Sequence, residues 1–118
     1  MKNTLTTAPV APLLERLFAD AEQTTQTLVR VLGQLSPEER AARMADPRAD
    51  YRAFYGQLKD IHMPVSRSTG QLAYMLARGN GARAIVEFGT SFGISTLHLA
   101  AALRDNGGGR LIGTEFEP

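Results

Sequence analysis

Apolar residues at spacings of three and four predict helices in the first part of the chain. One such stripe runs from residue 14 to residue 35, interrupted only at Thr25, and predicts a long amphipathic helix. Ser36 before Pro37, with two glutamates after it, is typical of a capped helix start, so we predict a second helix that ends near Asp46-Pro47. The stripe consists of Leu14, Leu17, Phe18, Ala21, Leu28, Val31, Leu32 and Leu35.

The same periodicity predicts two further helices. Residues 51–62 carry one apolar face, and Met63-Pro64 imposes an extended or turning backbone after it. Residues 71–78, which follow Ser66, form the fourth predicted helix, and Gly79-Asn80-Gly81 ends it. We expect Leu72, Met75 and Leu76 to point inward. The apolar face of residues 51–62 comprises Tyr51, Phe54, Tyr55, Leu58 and Ile61, which we interpret as helix packing.

The pattern changes at residue 84 from helical spacing to a short run rich in β-branched residues. Residues 84–88 predict a strand that is covered on both faces, and residues 94–105 predict a helix. A glycine-rich loop at 106–109 then leads to a second strand at 110–115. The connection exceeds the dozen or so residues that a parallel crossover requires, so we predict a βαβ unit and an α/β fold.

Composition and charge exclude several classes of function. The chain has 118 residues and a formal net charge of +1, which gives no field to attract nucleic acid or an anionic membrane. It contains no cysteine, which excludes disulfides and thiolate chemistry. It shows neither a signal-peptide pattern nor a run of about 18 apolar residues, so a soluble cytoplasmic protein is expected. His62 and His98 have no evident partners and are given no catalytic or metal-binding role.

The turn after the first predicted strand is the strongest candidate for a ligand site. Ligands bind at the carboxyl ends of strands in α/β sheets, and glycines there allow the backbone to approach a cofactor. A dinucleotide fingerprint requires glycine where Ser91 and Ile94 stand, and a P-loop requires a lysine after Gly93. Dinucleotide-binding proteins and P-loop nucleotide hydrolases are therefore both disfavoured. Glu87 lies in an otherwise apolar strand, where a buried charge needs a site or a partner.

The run Glu87-x-Gly89-x-Ser91-x-Gly93 resembles the acid-x-Gly-x-Gly-x-Gly motif that opens class I S-adenosylmethionine-dependent methyltransferases, with Ser91 replacing the middle glycine. Residues 113–118 are similar to the end of that family's second strand. Residues 63–66 are similar to the segment that closes over the cofactor in catechol O-methyltransferase-like enzymes. The resemblance covers residues 51–118, and the first fifty residues carry no motif.

The resemblance implies a role for each matched residue. Glu115 would accept hydrogen bonds from the cofactor ribose, and Ser95 would bind the methionine carboxylate. Glu87 would face the methionine end of S-adenosylmethionine. The remaining implied cofactor contacts are Val65, Gly89, Ser91 and Gly93.

The implied architecture is a helical region at 1–82, followed at 83–118 by the first βαβ unit of a Rossmann-like doubly wound sheet that stops after its second strand. The implied activity is O-methylation of a small hydroxylated molecule. In the family the adenine contacts, the ligands of a divalent metal and the general base follow the second strand, so none is expected in this chain. The alternative is a non-catalytic remnant or helical interaction module with a partial cofactor site. A homodimer stays open in both cases.

Overall fold

A computed structural model of the chain describes residues 2–45 and 64–115. The predicted helix at 51–62 and the predicted helix end at Asp46-Pro47 lie outside these residues. In these described ranges, a short 3₁₀-helix precedes four α-helices and two strands. Their bounds are Thr4–Thr6 for the 3₁₀-helix, Val10–Gly33 for α1, Pro37–Ala45 for α2, Arg67–Gly79 for α3, Ala84–Phe88 for β1, Ile94–Asp105 for α4 and Arg110–Thr114 for β2.

The predicted start of α2 is confirmed by its hydrogen bonds. The Glu39 backbone N–H donates to Ser36 Oγ over 3.1 Å, and the Ser36 N–H donates to the Glu39 carboxylate over 2.8 Å. This reciprocal pair is a capping box, which satisfies backbone donors that the first turn leaves without helical partners. At α3, Ser66 Oγ accepts from the Thr69 N–H over 3.1 Å. Both serines therefore act as N-caps, and α3 begins earlier than the apolar pattern alone predicts.

The two strands form a parallel sheet joined through α4, which confirms the predicted βαβ unit and the α/β class. Val86 pairs with Ile112 and Glu87 with Gly113. The prediction that β1 is covered on both faces is wrong for the described residues, since Val86 is 75% exposed and Phe88 is 96% exposed. Side chains alternate along a strand, and α4 covers the face that carries Ile85 and Glu87.

The main core lies between α3 and α4. Tyr74 and Ala77 of α3 are buried against Ala101 and Ala102 of α4, and Ile85 of β1 packs on the same cluster. Leu5 and Ala82 are also partly buried against it. Small alanine side chains let the two helix backbones approach closely, so the contact is tight although few large residues take part. The cluster joins residues on both sides of position 82, where the domain boundary stays a prediction.

The predicted inward face of α3 is wrong. Leu72, Met75 and Leu76 are 54%, 64% and 58% exposed, whereas the buried residues of the helix are Gly70, Tyr74 and Ala77. The buried positions are spaced by four and three, so they form a helical face of their own. Packing against α4 selects the face with small residues, because a glycine and an alanine give room for the partner helix.

A second cluster connects α1 to the beginning of α4. Leu14 and Ala21 are buried together with Ile94, and Leu17 and Phe18 pack against them. The four α1 residues of this cluster belong to the predicted apolar stripe, whose first part is thereby confirmed as a buried face. The contact fixes the first turn of α4 relative to α1. In residues 2–45 and 64–115, no helix has both the length and the apolar character of a membrane span.

Candidate functional site

The predicted site residues of the second half meet at the carboxyl ends of the two parallel strands. Glu87, the fourth residue of β1, is 8% exposed, and its carboxylate is held by two hydroxyls from the first turn of α4. Ser95 Oγ donates to Oε2 over 2.6 Å, and Thr96 Oγ1 donates to Oε1 over 2.5 Å. The buried charge thus has the partners that its place in an apolar strand requires. These bonds fix the carboxylate between the strand and the helix N-terminus.

The glycine turn is fastened to the end of β2 by consecutive backbone donors. The N–H groups of Gly89 and Thr90 both donate to the carbonyl oxygen of Thr114, over 3.1 and 2.8 Å. The Ser91 N–H donates to the Glu115 carboxylate. A dinucleotide site needs free amides to approach a pyrophosphate. In this turn those amides already have partners inside the chain.

Left-handed backbone torsions explain why glycines occupy this turn. Gly89 and Gly93 have φ values of 84° and 85°, which cost little only for a residue without a Cβ atom. Ser91 has a φ of 49° and is the only non-glycine residue with positive φ in the described part of the chain. The position where the resembling motif has its middle glycine therefore takes a glycine-like conformation here as well.

The N-terminus of α4 faces the same region without a capping side chain. Gly93 is the N-cap residue, and it has no side chain that could accept from the first-turn amides. The first-turn N–H groups of a helix carry partial positive charge and lack intrahelical acceptors. The Ser95 hydroxyl proton is already donated to Glu87, so a ligand carboxylate near this helix end would be reached through backbone donors.

A small concavity of about 90 Å³ unites several of the predicted residues. Val65, Gly89, Ser91 and Ser95 line it together, although Val65 lies far from the others in sequence. Its remaining walls are Pro64, Thr90, Phe92 and Ile94. Whole ligand pockets measure roughly 300–1,000 Å³, so this concavity is smaller than a complete site for such a ligand.

The other predicted residues adjoin this concavity without lining it. Gly93 lies in the wall of a neighbouring apolar groove that includes Leu13, Leu17 and Phe92. Glu87 lies beneath the concavity and reaches it through Ser95. Glu115 reaches it through the backbone of Ser91. The structure thus groups all of the predicted site residues around one strand-to-helix turn.

Thr96, Thr114 and Gly113 support the site but were not among the predicted residues. Thr96 supplies the second hydroxyl to Glu87, and the Thr114 carbonyl holds the turn. A Cβ atom at Gly113 would collide with the Thr90 side chain. A sequence signal existed only for Thr96, because a buried carboxylate needs more than one donor and Thr96 directly follows Ser95. The other two depend on strand pairing, which the sequence does not specify.

His98 lies elsewhere and differs from the unpartnered histidine inferred from sequence. It is 3% exposed, and its Nδ1 atom lies 2.8 Å from the carbonyl oxygen of Ile94. Within the described ranges, no group of three or more His, Cys, Asp or Glu residues is arranged to hold a metal ion. Comparisons of the chain with protein-family models, with curated protein sequences and with solved structures give no significant match.

Proposed function

We propose that residues 64–115 form the part of a methyltransferase that binds the methionine and ribose of S-adenosylmethionine, for methylation of a small hydroxylated molecule. The observation that carries this proposal is the grouping of Val65, Gly89, Ser91 and Ser95 around one concavity at the carboxyl ends of parallel strands. Open α/β sheets bind their ligands at this edge. The proposed sheet is Rossmann-like and includes β1 and β2.

The engaged amides of the glycine turn favour a cofactor without phosphate. Gly89, Thr90 and Ser91 donate to the end of β2, so they are not available to cradle a pyrophosphate. S-adenosylmethionine has no phosphate group; it offers ribose hydroxyls, an amino group, a carboxylate and a sulfonium. These three turn amides therefore do not support a phosphate-bearing cofactor, and S-adenosylmethionine does not require them.

The charges around the concavity complement the two ends of the proposed ligand. Glu87 and Glu115 place carboxylates beside the turn, which favours the ammonium and sulfonium charges and the donating ribose hydroxyls. The uncapped N-terminus of α4 favours the methionine carboxylate. A carboxylate has about four acceptor positions, so the bonds that Glu87 and Glu115 make within the chain are compatible with ligand bonds. When bound, the cofactor supplies an activated methyl group for transfer to an oxygen atom.

Thermal unfolding in the presence of S-adenosylhomocysteine tests the proposal. A ligand that binds only the native state raises the melting temperature with increasing concentration. We expect such a rise for the full chain, its loss in Glu115→Ala, and no effect of Glu22→Gln, which removes an exposed carboxylate on α1 away from the turn. NADH, which carries a pyrophosphate, should give no rise.

A cooperatively unfolding chain whose melting temperature does not respond to S-adenosylhomocysteine would contradict cofactor binding. It would favour the alternative of a non-catalytic module. An equal response in Glu115→Ala would contradict the ribose role of Glu115 alone. A response to NADH would overturn the argument from the engaged turn amides.

A further inference from the structure

A larger cavity of about 470 Å³ lies between the 3₁₀-helix, the first half of α1, α3 and α4. It shares no lining residue with the concavity at the glycine turn. Leu14, Phe18, Tyr74 and His98 are among its walls. Its volume falls within the roughly 300–1,000 Å³ that is usual for small-molecule sites, and apolar and aromatic side chains form much of its surface.

His98 gives this cavity an acceptor without a partner. Its Nδ1 atom lies 2.8 Å from the carbonyl oxygen of Ile94, and a carbonyl only accepts, so Nδ1 carries the proton. In the neutral ring Nε2 is then an acceptor. Within residues 2–45 and 64–115, no group donates a hydrogen bond to Nε2, although the residue is only 3% exposed. A buried acceptor without a hydrogen bond is unfavourable, and a ligand that donates to it would remove that cost.

Neighbouring residues fix the orientation of the His98 ring. A Cβ atom built on Gly70 would lie 2.7 Å from both Cε1 and Nε2 and 2.9 Å from Nδ1. Nearly equal distances to three ring atoms place Gly70 over the face of the imidazole. The Phe18 ring meets the imidazole edge to face, with centroids 6.2 Å apart and an interplanar angle of 69°. The acceptor is therefore held in place before any ligand arrives.

The charged residues at the cavity pair with each other. Arg67 of α3 donates to both carboxylate oxygens of Glu15 of α1, over 2.6 and 2.9 Å. The guanidinium carbon of Arg67 lies 4.3 Å from the centroid of the Phe18 ring, so the guanidinium group covers one face of that ring. Because the two charges neutralise each other, the cavity favours a neutral ligand over an ion. The aromatic wall favours a flat, apolar body.

We propose that this cavity binds a small neutral aromatic compound that donates a hydrogen bond from a hydroxyl or N–H group to Nε2 of His98. The site is separate from the proposed cofactor site and does not depend on the function proposed there. Phenol is the simplest probe, and fluorobenzene is its matched control, since it has a similar size and shape but no donor.

Nitrogen NMR of the imidazole in the full-length chain measures this contact directly. The chain has two histidines, so the substitution His62→Gln leaves His98 as the sole source of imidazole signals. Phenol should shift the Nε2 resonance saturably, in the direction of an acceptor that receives a hydrogen bond, and fluorobenzene should not. The same titration of the unsubstituted chain provides a second reading if His62→Gln impairs folding.

Two tryptophan variants test the location of the bound probe. Met75 lines the cavity and is 64% exposed. Met75→Trp should therefore fill the cavity without disturbing the packing of the core. We expect the affinity for phenol to fall about tenfold or more. Leu76→Trp is the matched control, because Leu76 is similarly exposed on α3 but does not line the cavity. The proposal would be overturned if the Nε2 chemical shift did not change with phenol, or if it changed equally with fluorobenzene. Unchanged affinity in Met75→Trp would overturn it as well.

Discussion

The Ser95 hydroxyl donates a hydrogen bond to the buried Glu87 carboxylate over 2.6 Å, which links the first turn of α4 to β1. Thr96 makes the equivalent bond to the other carboxylate oxygen over 2.5 Å. Each hydroxyl therefore has a structural task whether or not a ligand is present. A loss of ligand binding in a Ser95 variant must be separated from a loss of stability.

Removal of either hydroxyl should destabilise the fold. Ser95→Ala leaves one oxygen of a buried carboxylate without its donor, and we expect the free energy of unfolding to fall by about 1–3 kcal/mol. Thr96→Val, which keeps the shape of the side chain, should have a similar effect. Urea denaturation measures both. Gln26→Ala, at an exposed position on α1, is the control and should change stability by less than about 0.5 kcal/mol. Equal effects of the control and Ser95→Ala would contradict the assigned role of Ser95.

Ser91→Gly should stabilise the turn. Ser91 has a φ of 49°, a left-handed conformation that costs a residue with a side chain about 1–2 kcal/mol. Glycine removes this cost. Part of the gain in stability is offset because glycine loses more conformational entropy on folding. The hydrogen bond from the backbone N–H of residue 91 to Glu115 is retained in this variant. We expect a higher melting temperature for Ser91→Gly and a lower one for Gly93→Ala, whose φ is 85° and whose surroundings are open. A stabilising Gly93→Ala would refute the argument from backbone torsions.

The βαβ unit was predictable because its signals are local. The β-branched run at 84–88, the glycine turn and the long connection each limit the backbone without reference to distant residues. The importance of Glu87 was predictable for a related reason, since a charged side chain in an apolar strand needs a binding partner at that position. The N-cap role of Ser36 was predictable because this residue acts on a donor only three residues away.

The errors concern which face of an element is covered. Apolar spacing on α3 indicates Leu72, Met75 and Leu76 as the inner face, but α4 packs on Gly70 and Tyr74. That choice depends on the shape of the partner helix, which is distant in sequence. The bonds from Gly89 and Thr90 to Thr114 were unpredictable for the same reason, because they require the register of the β1–β2 pair.

Gly70→Ala should destabilise the chain because its new methyl group would lie 2.7 Å from the His98 ring. Overpacking of this kind typically costs about 1–3 kcal/mol. In the His98→Ala background the same change should cost less, and a double-mutant cycle measures the coupling. Gly79→Ala is the matched control on the same helix, since its Cβ would meet nothing within 4 Å. Equal costs of Gly70→Ala with and without His98 would show that the ring is not the obstacle.

Asp105 should make stability depend on acid pH. Burial on its own raises the pKa of this carboxyl, but hydrogen bonds from Thr4 and Tyr74 and the nearby Arg78 charge outweigh it, so the pKa lies below the usual 3.8. The folded pKa is therefore lower than the unfolded one. The stabilisation is complete above the unfolded pKa and is lost as pH falls through the folded pKa. Tyr74→Phe removes a 2.6 Å hydrogen bond to Asp105, so carboxyl-carbon NMR should show the Asp105 pKa rising toward its usual value. Asp20→Asn, at an exposed position on α1, should leave the Asp105 titration unchanged, and an unchanged titration in Tyr74→Phe would contradict the assigned bond.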